Sequence, residues 1–357
     1  MKPIAWCALT VLVGVLLIPH ESADAQSSSA PAGTAPQAAC AAAGDLHFVC
    51  GLINVEDFLP VDGGRWLVGG SFQAGSAGLY LINTAEHTAR PVALSIARVR
   101  DAQYAGCPAP DLKRLSTHGL DVVPGRAGSA TVYAVNHGGR ESVEVFRLDA
   151  ARAAAQWIGC VLMPAGANGN AVAALPGGGG FVVTKFMETR DKQAFQHLMA
   201  GAVTGVVYRW TPGKGFSEVP GTRLAGDNGV VVSPDGKWVF VNAYGSDEIY
   251  RVALSGTAKP TSVKVAFHPD NLRWAPDGTL FDTGQFLEPG RASGPPRPDA
   301  WATVRLDPRT MAVTPLVKEP GRAEFADATS AVQIGDTLWF CTFRGTRVAY
   351  RDIGSSP

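Results

Sequence analysis

The stretch Gly226–Val252, GDNGVVVSPDGKWVFVNAYGSDEIYRV, decides the fold. A polar pair, Asp227 and Asn228, opens it, and the apolar run Val230, Val231, Val232 follows. A Ser-Pro-Asp-Gly turn then leads into a second β-rich run, Lys237 to Val241, which ends in the polar cluster Asn242 to Tyr244. Two short β-rich runs joined by a Pro/Gly turn are a hairpin, and a hairpin brings both polar ends to the same side.

The pattern recurs. Polar start, apolar run, Gly-rich turn and second β run are read again from Asn54, His118, Asn170, Asp270 and Thr329, which makes six copies. With Glu56, His118, Asn170, Asn228, Asn271 and Ser330 as equivalent points, successive copies are 43 to 62 residues apart. Repeats of this length, each supplying a small sheet, predict an all-β, six-bladed β-propeller, and the polar starters add the expectation of a central metal site. Two β-sandwiches would not account for six matching hairpins. Runs such as 142–148, 205–210 and 248–252 supply the outer strands of the blades.

The totals agree. The chain has 357 residues, 46% of them hydrophobic, with 41 Gly and 25 Pro and no collagen-like period, as expected of a turn-rich β protein. Its formal net charge of +0 gives no sign of nucleic acid as a partner. Residues 1–25 read as a signal peptide: Lys2, the apolar stretch Ile4 to Ile18, then Ala23-Asp24-Ala25 as a small-x-small cleavage site. The stretch is too short for a transmembrane anchor. Residues 26–39 read as a flexible lead-in and residues 40–357 as one propeller domain, exported to the periplasm or secreted. Five cysteines remain after processing, an odd number. We take Cys40 with Cys50 and Cys107 with Cys160 as the disulfides of an oxidising compartment, leaving Cys341 as a buried thiol.

In a propeller the first strand of each blade lines the central channel, so the six polar starters converge: Glu56, His118, Asn170, Asn228, Asp270 with Asn271, and Thr329 with Ser330. Two carboxylates and three carboxamides suit Ca²⁺, with Mg²⁺ or Mn²⁺ next; Zn²⁺ would want more His or Cys. His118 and His137 lie side by side on the same face, placed to act as a base toward water. The ends of the second strands add the pocket residues Lys185, Tyr244, Gln285 and Arg344, and His268 stands near Asp270 as an outer partner. Asp235 and Asp277 sit in Pro-Asp-Gly turns on the opposite face and read as turn formers. Two long connections, 187–203 and 286–300, rise on the site face; the first is expected to hold a short helix with Phe195, Leu198 and Met199 on one side.

At these residues the sequence resembles the superfamily of six-bladed calcium-dependent lactonases and esterases, the gluconolactonase/regucalcin-like proteins and the paraoxonase/arylesterases. His118-Gly-Leu followed by TVYAVNHGGRESVEVFRLD, NGVVVSPDGKWVFV, DNLRWAPDG and ATSAVQIGDTLWFCTFRGTRVAYRD carry the resemblance, which spans Glu56 to Asp352. It implies a catalytic calcium held by Glu56, Asn170, Asn228, Asp270 and Asn271, a water-activating pair His118 and His137, and Asp270 as the alternative general base. The implied substrate is a small-molecule lactone or ester. Departures are visible. Paraoxonases hold a second, structural calcium with acidic residues; Asp57 matches one of them, but the Asp expected after Asn170 is Ala171. The acidic partner of the histidine pair expected near Phe186 is missing. A non-hydrolytic binding or scaffold propeller with a structural ion, or a metal-dependent enzyme of other chemistry, are the alternatives.

Overall fold

The six hairpins form the two inner strands of six antiparallel sheets. The structure, a computed structural model, describes residues 40–126, 128–287 and 300–354. The proposed signal peptide and lead-in, and most of the 286–300 connection, lie outside the described residues. The inner strands are Val55–Val61, Thr117–Pro124, Ala167–Ala174, Asp227–Val232, His268–Trp274 and Ala328–Ile334. Each touches the next, and the last touches the first, closing a ring of six blades. Among the described residues, no helix is long and apolar enough to cross a membrane.

Two strands depart from the simple repeat. Blade 2 gains a fifth, outermost strand, Ala93–Ile96, paired parallel to Ala154–Leu162. Blade 6 is completed by the first strand of the described chain, His47–Cys50, which pairs antiparallel with Arg347–Asp352. Cys40 is bonded to Cys50 beside that closure, and Cys107 to Cys160 against blade 2; Cys341 is a buried free thiol.

There are six principal cores rather than one, one in each interface between blades. Val61, Val68 and Leu81 of blade 1 meet Leu120, Phe146 and Trp157 of blade 2. Equivalent clusters follow around the ring, and the last joins Trp339 and Val348 of blade 6 to Phe58 and Leu67 of blade 1. Both faces of an inner strand are therefore buried. That is why Val230, Val231 and Val232 form a continuous apolar run rather than an alternating one.

The polar starters have a shared local cause. In all six blades the ladder between inner and second strand slips at the start of the inner strand: at Glu56, at His118 and Gly119, at Asn170 and Ala171, at Asn228 and Gly229, at Asp270 and at Thr329. A residue displaced from its ladder is re-aimed, and here the displaced residues are the polar ones. Neighbouring backbones come close at these points. A Cβ on Gly229 would lie 2.3 Å from Asp270 O, and one on Gly119 2.6 Å from Asn170 O, so only glycine fits.

Below the starters, Asp57 and Arg273 pair across the ring. Arg273 Nε donates to Asp57 Oδ1 (3.1 Å) and Nη2 donates to Oδ2. Leu120 N donates to Asp57 Oδ2 (2.9 Å), and Arg273 Nη1 and Nη2 also donate to Leu272 O and Leu120 O. Blades 1, 2 and 5 are thus joined through one guanidinium, which occupies the acidic Asp57 site with a side-chain cation.

Arg273→Met should lower stability by about 3–5 kcal/mol, because it strands a buried carboxylate. Adding Asp57→Asn should restore part of the loss. Equal losses for the single and double variants in denaturant titrations would count against the pair.

Candidate active site

Five of the six bulges open into one cavity of about 490 Å³ at the strand-start end of the ring; contrary to expectation, Thr329 and Ser330 of the sixth are buried outside its lining, with Thr329 Oγ1 donating to Glu56 O. Glu56, His118, His137, Asn170, Asn228 and Asp270 line it, as do Tyr244 and Gln285. Asn271 lies behind this lining, fully buried, and its Nδ2 donates to Glu56 Oε1 at 2.6 Å. Cys341 Sγ lies 3.0 Å from Glu56 O.

The convergence leaves oxygens without partners. Among the described residues, Glu56 Oε2, Asn170 Oδ1, Asn228 Oδ1 and Asn271 Oδ1 are buried and accept no hydrogen bond. Each such group costs about 1–3 kcal/mol when left unsatisfied, so the three on the cavity lining, Glu56, Asn170 and Asn228, call for a common partner. The described residues contain no group of three or more His, Cys, Asp or Glu arranged to hold a metal. The set is instead carboxamide-rich and all-oxygen, the chemistry of a hard cation rather than zinc. Burial above all, then the nearby Asp270 and Asp57, pushes the Glu56 carboxyl well above its usual range. Burial raises Asp270 to about 7, against the lowering effect of the Gln285 amide. Two buried acids held up in this way are what a bound divalent charge would reverse.

Gln285 and Tyr244 fix Asp270. Gln285 Nε2 donates to Asp270 Oδ2 (2.8 Å) and to Ala328 O (2.8 Å), while Tyr244 Oη donates to Gln285 Oε1 (3.2 Å). His268 stacks on the Tyr244 ring (centroids 5.1 Å apart), and its Nδ1 is 2.7 Å from Asp247 Oδ1. His268 therefore reaches Asp270 only through Tyr244 and Gln285.

The histidines form a chain. His118 Nδ1 is 2.9 Å from His137 Nε2, and His137 Nδ1 is 2.8 Å from Glu141 Oε1. His118 Nε2 looks toward Glu56 Oε1, 3.7 Å away. Phe72 stacks on the His118 ring at 4.2 Å. Burial first, and His137 second, hold His118 well below the usual imidazole value, so its ring is neutral at neutral pH.

Three expectations are corrected. Lys185 and Arg344 do not line the cavity; Lys185 Nζ pairs with Glu188, and Arg344 Nε donates to Asp327 Oδ2 (2.8 Å). Their apolar neighbours Phe186 and Phe343 face the site instead. The short helix, Ala194–Met199, buries Ala194 and Leu198 against the propeller, while Phe195 turns to the cavity and stays 46% exposed. The acidic partner absent near Phe186 is present as Glu141. It comes from the loop after His137, and its only signal in the sequence is a carboxylate four residues beyond a histidine. Asn168 and Met187 also line the cavity without having been singled out.

The fold and site define a six-bladed propeller with a polar, acid-and-amide funnel beside a histidine pair. Two solved structures share the fold. One is a luciferin-regenerating enzyme (TM-score 0.56, 14% identity, covering 87% of this chain and 95% of that one). The other is a gluconolactonase-family protein (TM-score 0.53, 14% identity, covering 86% of this chain and 91% of that one). The likeness supports the resemblance to gluconolactonase/regucalcin-like propellers at the level of the fold. No protein-family model matches the sequence, and no curated protein is similar to it.

The raised acids give the site a pH signature. In metal-stripped protein, the stability tied to protonated Asp270 is full below 3.8 and is lost as the pH rises through about 7. Calcium should therefore raise Tm more at pH 8 than at pH 5, read by thermal unfolding in CaCl₂ and in EDTA. Equal shifts, or none, would count against a cation among these oxygens.

Proposed function

We propose that the protein is a calcium-dependent hydrolase that opens a lactone or cleaves an ester of a neutral, apolar-substituted acid. The observation that carries this reading is a neutral histidine base at the edge of a cavity lined by three residues with orphaned buried oxygens, Glu56, Asn170 and Asn228, with Asn271 behind them. Glu56, Asn170, Asn228, Asp270 and Asn271 would hold the ion. When bound, calcium would supply positive charge to a carbonyl oxygen and to the oxyanion that forms from it.

The protein's own groups do the rest. His118 Nε2 takes a proton from water, whose oxygen attacks the carbonyl carbon; the ring C–O bond breaks and the proton passes to the leaving oxygen. The histidine pair is favoured over Asp270 as base because Asp270 Oδ2 already accepts from Gln285. Phe72, Phe186, Met187, Phe195 and Phe343 give the cavity apolar walls, and among the described residues no Lys or Arg lines it. That lining favours a neutral substrate over a sugar acid or a phosphorylated one. The two disulfides fit an oxidising compartment, in keeping with export.

Purified mature protein should turn over members of a panel of γ- and δ-lactones and phenyl acetate in calcium and lose that activity in EDTA. His118→Gln should lower kcat by about 10²–10⁴-fold. Absence of metal-dependent turnover across the panel would overturn the reading in favour of a binding propeller. Mass spectrometry of the products would separate hydrolysis from other metal-dependent chemistry.

A further inference from the structure

We propose that Glu141 is the positioning residue of the histidine pair: it sets both tautomers so that His118 Nε2 is the bare nitrogen presented to the cavity. The argument runs along the chain of hydrogen bonds. Glu141 accepts on both oxygens, from His137 Nδ1 (2.8 Å), from Gly169 N at Oε2 (3.1 Å) and from Asn168 Nδ2 at Oε1 (3.4 Å). A carboxyl used this way acts as acceptor, so the hydrogen between it and His137 belongs to His137 Nδ1. With His137 taken as the neutral ring, its Nε2 is bare; a His137 cation would donate from Nε2 instead, and a wild-type spectrum showing both His137 nitrogens protonated would overturn the proposal. The 2.9 Å contact with His118 requires one hydrogen, which must sit on His118 Nδ1. A neutral His118 is left with a bare Nε2, the atom that faces Glu56. Asn168 Nδ2 is also 3.4 Å from His137 Nδ1, but with that nitrogen protonated only Glu141 can accept from it.

The loop that carries Glu141 is built to hold it. Asn136 Oδ1 accepts from Ser116 N and Gly138 N, and its Nδ2 donates to Gly138 O and Arg140 O. A Cβ on Gly138 would sit 1.7 Å from Arg114 O, so no other residue allows this path. Arg140 is drawn away from the site. Its Nε and Nη2 donate to Glu144 (2.8 and 3.0 Å), a fully buried carboxylate that also accepts from Trp157 Nε1 and Ser142 Oγ. With Arg140 committed there, Glu141 is left to the imidazole.

The same chain accommodates the proton that catalysis would deliver. A proton taken at His118 Nε2 allows His118 to pass its Nδ1 hydrogen to His137 Nε2, and the resulting cation faces the Glu141 carboxylate. Reversal returns the proton to His118 Nε2 and then to the leaving oxygen, so nothing is gained or lost overall. Without Glu141 the chain inverts. Asn168 Nδ2 can then donate to a bare His137 Nδ1, His137 Nε2–H donates to His118 Nδ1, and the hydrogen appears on His118 Nε2, which blocks the base.

The tautomer assignment stands on geometry; its kinetic consequence rests on the proposed hydrolase reading, and the test keeps the two apart. Two-bond proton–nitrogen NMR spectra of protein labelled with ¹⁵N-histidine should show His118 and His137 both with protonated Nδ1 and bare Nε2. In Glu141→Ala both rings should switch to the Nε2–H form, and Glu141→Asp should retain the original pattern. Glu141 is partly exposed, so the variants should fold, which the rest of the spectrum reports. With a turned-over substrate in hand, Glu141→Ala should lose about 10²–10⁴-fold in kcat, the span of general-base catalysis, with KM nearly unchanged, and Glu141→Asp should recover part of it. Unchanged tautomers in Glu141→Ala would overturn the proposal whether or not any substrate is found. Switched tautomers with no turnover in the wild type would overturn only the hydrolase reading.

Discussion

A carboxylate and a guanidinium, Asp57 and Arg273, meet where the inner strands converge, with almost no contact with water. Nearly everything polar at the centre of the ring is arranged around that pair. Buried charge is tolerated only when it is answered, and Arg273 answers one of the three acids that crowd the axis. Glu56 and Asp270 remain, one residue before Asp57 and three before Arg273. Their side chains are displaced to the other side of the pair, toward the cavity. The guanidinium thus divides the channel: above it two carboxyls, both held above their usual range by burial, stand among unpaired amide oxygens.

What turns a stack of sheets into a site is a repeated defect. Each inner strand slips out of register with its partner near its first polar residue. Five of these slips, at matched positions, give side chains from separate blades a common focus that a regular ladder would deny them. The glycines after His118 and Asn228 let adjacent backbones approach at these points. The aromatic side chains at the ends of the second strands then enclose the focus on its open side.

The repeat and the starters were legible because both are local. SPDG and APDG turns, valine runs and an Asn, Asp, Glu or His at each start need only a few residues to be seen. Positions of second-strand ends were legible only to the nearest residue. Lys185 and Arg344 were read as pocket residues, but Phe186 and Phe343 beside them face the cavity, because successive side chains point opposite ways. Glu141 escaped because its role depends on a Gly138 path pressed against Arg114, a contact no motif announces. The strand His47–Cys50 escaped for a related reason: its partner is Arg347–Asp352, at the other end of the chain.

That last pairing bears on how the molecule comes into being. The first strand of the described chain waits for the last, and Glu56 waits for the amide of Asn271, 215 residues later. Contacts so far apart in sequence are closed late and slowly, since the chain between them must lose its freedom first. A growing or truncated polypeptide has no half-finished funnel, since each principal core needs two neighbouring blades. The central cavity is therefore completed only when the ring closes.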